Sequence, residues 1–319
     1  MRTANLGNNY DSRPNLGLRG RAILSSSVGD EMNGKLAFNL GWRALALLAF
    51  TLAATAQIEF RALDREIIQS RLEDFSKKNS EREIILKRLF GQSGCKPDQI
   101  SEQEVKHKLP PNLICILPGQ SDAVILVGAH SDQAEVGYGV VDNWSGASLL
   151  PSLLYSLSDE PRRHTFIFIA FTGEELGMLG SDFYAKSLTL EQRSRVQAMI
   201  NLDSLGLGPS EVWVTHSDGD LVTSIGTVAA AMKLPVRAMN VDQVGSTDSE
   251  SFVKYKIPRI TIHSVTQETW ALLHSDKDKL SAIKMGDYYE TYRLLAGYLA
   301  YLDGHLGKSP AQPVTPHGN

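Results

Sequence analysis

The sequence predicts an α/β layer fold made of one domain, on three observations. Apolar runs at 124–128 and 166–171 lack the polar alternation of a half-exposed sheet, so they read as strands buried on both faces. Helical spacings separate these runs from shorter ones at 198–202, 212–214 and 260–262. The composition, 42% hydrophobic and 21% charged over 319 residues, supplies one sizeable core or two modest ones. Disorder and collagen-like repeats are excluded. A net charge of -4 with no basic face argues against a nucleic-acid partner. Two cysteines exclude a disulfide-dense scaffold or a Cys-rich zinc module.

Residues 1–31 show neither helical nor strand period and read as an extension outside the fold, with Met32 the expected start. Residues 32–56 have the layout of a secretory signal. Lys35 and Arg43 form a basic flank, 44–56 is a short apolar run, and Ala54-Thr55-Ala56 is a small-x-small cleavage site. The run is shorter than the ~20 residues a membrane span needs, so no stable span is expected after cleavage. An uncleaved N-terminal anchor and a buried helix are the competing readings. Cleavage before Gln57 removes six basic and three acidic residues, leaving a mature net charge of -7. An exported chain, periplasmic or extracellular, occupies an oxidising compartment where Cys95 and Cys115 can pair; two unrelated buried thiols are the alternative.

From Gln57, Ile67, Ile68, Leu72 and Phe75 recur at helical spacing, and a second helix runs through 84–90. Residues 112–117, which include Cys115, are strand-like. Helices are expected at 145–157, 177–187, 221–232 and 252–255, and a closing helix at 285–306. Residues 307–319, with three prolines, read as a loose tail. No repeat or Gly/Ser linker interrupts 57–306, which makes a single domain of that extent the economical reading.

Chemistry gathers where strands end. His130-Ser131-Asp132 follows the first apolar strand, and Asp142-Asn143-Trp144-Ser145-Gly146 leads into a helix. Glu174-Glu175 follows the second long strand, Asn201-Leu202-Asp203 closes the third, and His274-Ser275-Asp276-Lys277-Asp278 lies in a late polar loop. Side chains at such positions project into a cleft at the carboxyl edge of the sheet. One such carboxylate could be a helix cap; several converging ones would repel each other without a common cation. Two histidines and three carboxylates suffice for two zinc ions if one carboxylate bridges.

These five motifs, in this order from about residue 110 to 282, resemble the co-catalytic zinc aminopeptidases of the bacterial leucyl aminopeptidase and aminopeptidase Y type. The resemblance implies a three-layer α/β/α fold with a central mixed, mostly parallel sheet of the phosphorylase/hydrolase-like kind. It implies that His130 and Asp203 hold one zinc, that Glu175 and His274 hold the other, and that Asp142 bridges them. Glu174 is implied as the general base acting on a metal-bridging water, with a raised carboxyl pKa. Asp132 and Asp278 are implied to orient His130 and His274. The substrate would be a peptide with a free N-terminus. Val141 and Gln133 depart from the family pattern beside the metals, and Ser249 stands where the family commonly carries His. His216 and His263 at strand ends, and Trp144 and Trp270 beside ligand motifs, are expected to be structural or to wall the cleft.

Other functions use the same fold. A glutaminyl-cyclase-like transferase works with one zinc, but cyclases usually carry Ser after the bridging Asp, where this chain has Asn143. A non-catalytic receptor or scaffold domain usually lacks several ligands, whereas all five stand here with Glu174. A carboxypeptidase of a related metal clan would need a clamp for the substrate carboxylate, and no arginine stands out for that.

Overall fold

The computed structural model describes residues 19–23, 57–105, 108–159, 161–241 and 245–307. The signal-like run at 32–56 and the tail after Gly307 lie outside the described residues, as do residues 1–18 and 24–31. The long apolar strands β5 (Val124–His130), β6 (Thr165–Phe171) and β7 (Val196–Leu202) form the middle of an eight-stranded sheet. With β3 (Ile100–Gln103), β4 (Asn112–Leu117), β8 (Ser210–Val212), β9 (Val236–Ala238) and β10 (Arg259–His263), the order is β3-β4-β6-β5-β7-β10-β8-β9. The central strands β6, β5, β7 and β10 are mutually parallel; β4 runs antiparallel to β3 and β6, and β8 runs antiparallel to β10 but parallel to β9. The sheet is therefore mixed and mostly parallel, sandwiched between helices.

Strand β5 lies between β6 and β7, so the chain crosses to one side through α3 (Ser145–Ser158) and returns to the other through α4 (Leu179–Ser187) and α5 (Leu190–Arg195). That reversal opens a crevice at the carboxyl ends of β5, β6 and β7, where the strand-end motifs lie. Helix α3 is apolar nearly all round and buried from Ser145 to Leu157. It packs against α1 (Arg65–Glu73), α2 (Asn79–Gln92) and α7 (Met285–His305), while α6 (Gly219–Met232) flanks α7. Serines on α3 meet tyrosines of α7: Ser148 bonds Tyr288 Oη at 3.0 Å and Ser156 bonds Tyr292 Oη at 2.8 Å. Every polar atom on that seam has a partner, which keeps a polar stripe inexpensive inside the core.

Several boundaries differ from the sequence reading. Strand β8 ends at Val212, and Val214–His216 form a 3-10 turn. The helix expected at 252–255 is a 3-10 segment, Asp248–Tyr255. Strands β3 and β9 escape a search for apolar runs because they lie at the sheet edges, where polar residues discourage further pairing. Residues 1–31 gave no strand signal, yet β1 (Arg19–Ile23) pairs antiparallel with β2 (Gln57–Arg61). Ladder hydrogen bonds are backbone bonds, so that pairing needs no side-chain period.

Cys95, just beyond α2, and Cys115 in β4 form a disulfide across 20 residues of sequence. Closing a loop of that size stabilises by about 3 kcal/mol in the chain-entropy model. Reduction is therefore expected to lower the unfolding free energy from urea denaturation by that amount, seen as a lower midpoint, measured with and without a phosphine reductant. Coincident unfolding curves would exclude the effect. Among the described residues, no helix is long and apolar enough to cross a membrane.

Candidate metal centre

His130 is the last residue of β5, Glu174 and Glu175 follow β6, Asp203 follows β7, and Asp142 lies in the tight turn before α3. His274 comes from the loop after β10, with a left-handed backbone (φ 53°) that turns its ring back to the cleft. The structure brings together all five residues expected as metal ligands. Asp142 is central: its Oδ1 is 3.1 Å from His130 Nε2 and its Oδ2 is 3.2 Å from His274 Nε2. His130 Nε2 also lies 3.8 Å from Asp203 Oδ1, and His274 Nε2 lies 3.0 Å from Glu175 Oε2. Three donor groups result: His130/Asp142/Asp203 and Asp142/Glu175/His274, joined through one carboxylate, and His130/Glu174/Glu175, which draws on both.

The local sequence explains why Asp142 can hold this place. The Asp142–Asn143 peptide is cis, and buried Asn143 ties its turn to the end of β7. Its Nδ2 donates to Leu202 O at 2.8 Å, and its Oδ1 accepts from Gly146 N and Ser204 N. Ser145 Oγ donates to Val141 O and accepts from Leu205 N. At Gly146 an added Cβ would fall 2.6 Å from Asn143 Oδ1 and 2.7 Å from Leu202 O, so only glycine permits this approach. Asp142, Asn143, Ser145 and Gly146 thus each have a distinct geometric task.

Asp278 does other work than the resemblance implied, and Asp132 does more. Asp132 Oδ1 lies 3.6 Å from His130 Nδ1, within ion-pair range, and its two oxygens accept from Glu174 N and Glu175 N at 3.2 Å each. It holds the Glu-Glu turn against the His130 loop. Asp278 accepts from Val141 N at 2.7 Å and Asp142 N at 3.2 Å, so it fixes the backbone of Asp142 and not the ring of His274. A carboxylate two or four residues from a histidine can reach it, but the nearer unsatisfied donors here are backbone N–H groups.

The Thr247-Asp248-Ser249 loop also contributes inside the site. Thr247 Oγ1 donates to Asp203 Oδ2 at 2.6 Å and accepts from Asn201 Nδ2, and Ser249 accepts from Thr261 Oγ1. Asp248 is buried with neither oxygen hydrogen-bonded, and burial pushes it up to about 7. Trp213, Val241 and Val265 line the cleft with Ser204, Ser246 and His263. Trp144 is wholly buried in the core, whereas Trp270 is 43% exposed; of the tryptophans noted at the ligand motifs, neither lines the cleft. Trp213 was hidden from the sequence reading because it sits in an apolar run with no chemistry of its own. A larger cavity of about 470 Å³ opens towards the amino ends of the same strands, but it holds neither histidine nor paired carboxylates.

Electrostatics favour a cation. Burial raises Glu174 well above the usual carboxyl range, reinforced by Asp248, Asp203 and Asp142 against the opposing pull of His130. Burial disfavours a charged His130, but Glu174, Asp132, Asp142 and Asp203 outweigh it and raise its pKa well above the ordinary value. His274 is raised to about 10 by its bonds to Asp142 and Glu175. His130 Nδ1 and Nε2 and Glu175 Oε1 are buried without a hydrogen-bond partner. Donors aimed at one another without hydrogen bonds fit divalent metal, and imidazole with carboxylate is a zinc donor set.

His263 is different. Its Nε2 donates to Met239 O at 3.0 Å and its Nδ1 accepts from Val265 N, which fits a neutral ring, and burial lowers it to about 4. The unfolded chain takes up this proton near pH 6.5, so stability is lost as pH falls from about 6.5 towards 4, by on the order of 3 kcal/mol. In metal-free protein, His263→Asn is expected to remove that loss, so that the unfolding free energy at pH 4 relative to pH 6.5 rises against the parent by about the same amount. Parallel curves for variant and parent would contradict it.

A cleft at the carboxyl edge of an α/β sheet, with two histidines and three carboxylates in linked triads and Glu174 beside them, is a candidate centre for two metal ions. Residues 112–299, more than half of the chain, match peptidase family M28, and the chain belongs to that family. It is 28% identical over 193 residues to aminopeptidase YwaD of Bacillus subtilis, covering 58% of this chain and 41% of that protein. It is 28% identical over 150 residues to leucine aminopeptidase 2 of Trichophyton rubrum, covering 44% and 30%. The chain therefore spans less than half the length of these relatives. Among solved structures, the Legionella pneumophila LapA aminopeptidase superposes with a TM-score of 0.64 at 20% identity, over 76% of this chain and 73% of that one. A glutaminyl cyclase from an Acidobacteriales bacterium superposes at 0.62 with 16% identity, over 75% and 94%. At such identities these structures establish the fold alone.

Proposed function

We propose that the chain is an exported, zinc-dependent aminopeptidase that uses two zinc ions to hydrolyse the first peptide bond of substrates with a free N-terminus. The observation that carries this reading is Asp142, whose two oxygens face His130 and His274 separately and so join two three-donor groups. His130 and Asp203 would hold one ion, Glu175 and His274 the other, and Asp142 both. Zinc in these positions supplies Lewis acidity that polarises a scissile carbonyl and acidifies water.

The chain's own residues supply the rest. Glu174 belongs to neither joined triad, and its Oε2 lies 3.9 Å from His130 Nε2 at the cleft wall. Burial gives its carboxyl the high proton affinity a general base needs near neutral pH. It takes a proton from the attacking water and delivers it to the departing amine. Asp132, through the N–H groups of Glu174 and Glu175, holds that base in place. Trp213, Val241 and Val265 offer apolar walls for a substrate side chain. The concentration of carboxylates attracts a cationic α-amino group. Export is supported by the Cys95–Cys115 disulfide, which persists in oxidising compartments.

Incubation of the zinc-loaded protein with peptides, each free or acetylated at the N-terminus, tests the reading. Stepwise release of first residues from the free peptides only is expected. Pyroglutamate from a Gln-initiated peptide without residue release, or cleavage of acetylated peptides at equal rate, would overturn it.

A further inference from the structure

Helix α2 carries a buried cation that the sequence motifs do not include. Arg82 shares the inward stripe of α2 with Leu86, Leu89 and Phe90, and it is 0% exposed. Its Nε donates to Ser76 O at 2.7 Å. Nη1 donates to Ser131 O at 3.1 Å and to Asp132 O at 3.3 Å. Nη2 donates to Tyr138 O at 2.7 Å, Gly139 O at 2.9 Å and Gln133 Oε1 at 3.1 Å. The fork thus grips two stretches of backbone at once. One begins directly after His130; the other ends three residues before Asp142. Gly139 O accepts also from Trp144 N, so the grip reaches the turn that presents Asp142.

We propose that Arg82 is a positioning residue for the metal centre, whose planar fork sets the spacing between the loop after His130 and the turn before Asp142. The inference rests on the two-zinc reading. His130 and Asp142 are donors to the same ion there, and their separation depends on backbone that belongs to neither strand nor helix. A guanidinium can span the two stretches because its donors diverge in one rigid plane. An ammonium is a point charge with three donors and cannot. Arg82 also lies within the field of Asp132, Asp278, Asp142 and Glu175, which sustain its charge against burial. Charge compensation alone would be a different role, and lysine separates the two.

The test compares wild type, Arg82→Lys and Arg82→Met. Zinc affinity is measured by competition with a chromophoric chelator, and thermal unfolding of the metal-free proteins confirms that each is folded at the assay temperature. Both variants are expected to melt cooperatively and to bind zinc roughly 10- to 100-fold more weakly, the usual loss when the support of a metal ligand is removed. Affinity within twofold of wild type in Arg82→Met, or its restoration by Arg82→Lys, would overturn the positioning role. Loss of cooperative folding in both variants would assign Arg82 to the fold alone and overturn it too. Absence of zinc binding by wild type would instead sink the two-zinc reading beneath it.

Discussion

Glu174→Gln is expected to lower kcat by roughly 100- to 10,000-fold, the usual contribution of a general acid–base residue, with zinc content unchanged. The amide keeps the size and most hydrogen bonds of the carboxyl but cannot take a proton. The five residues of the two joined triads are all present in the variant, so both proposed ions keep the donors assigned to them. Because the backbone N–H of residue 174 bonds Asp132 in either case, the turn is undisturbed. Turnover by Glu174→Gln within a few-fold of the parent would remove Glu174 from the base role. Coordinate loss of zinc and activity would make it a ligand instead.

Asp142→Ala is expected to abolish turnover by a different route, through loss of both ions. Each donor triad contains Asp142, so zinc affinity should fall at both positions by more than the 10- to 100-fold typical of losing an outer partner. Asp203→Ala is the control. It removes a donor from the His130 group and leaves Asp142, Glu175 and His274 intact, so one tightly bound zinc per chain is expected to remain. Metal analysis of the dialysed variants distinguishes them. Equal retention of zinc in both would show that Asp142 does not bridge.

The two predictions depend on features that the sequence displayed unequally. The three motifs at strand ends, around His130, Glu174 and Asp203, were legible because parallel strands buried on both faces are continuous apolar runs, and the polar residue that interrupts each run marks the cleft edge. The partners of Asp278 were not legible: its proximity in sequence to His274 suggested one bond, while its carboxylate accepts from Val141 and Asp142 across the fold. Asn143 and Gly146 were visible as a motif, but their reasons, a bond to Leu202 O and a near-contact of backbone, exist only once β7 lies beside the turn. Arg82 left one trace, a charged residue on the apolar stripe of α2. Sequence periodicity cannot tell a solvated arginine on a helix edge from one whose guanidinium meets five backbone carbonyls.

The central claim is that this cleft is a two-metal centre, and the stoichiometry of zinc on the folded chain tests it most directly. Titration of metal-free protein with zinc, followed by calorimetry and confirmed by elemental analysis after gel filtration, is predicted to give two ions per chain. Binding should release protons, since His130 and His274 are both held protonated by the surrounding carboxylates until metal displaces them. Saturation at one ion, or no binding above that of a protein lacking both histidines, would contradict it.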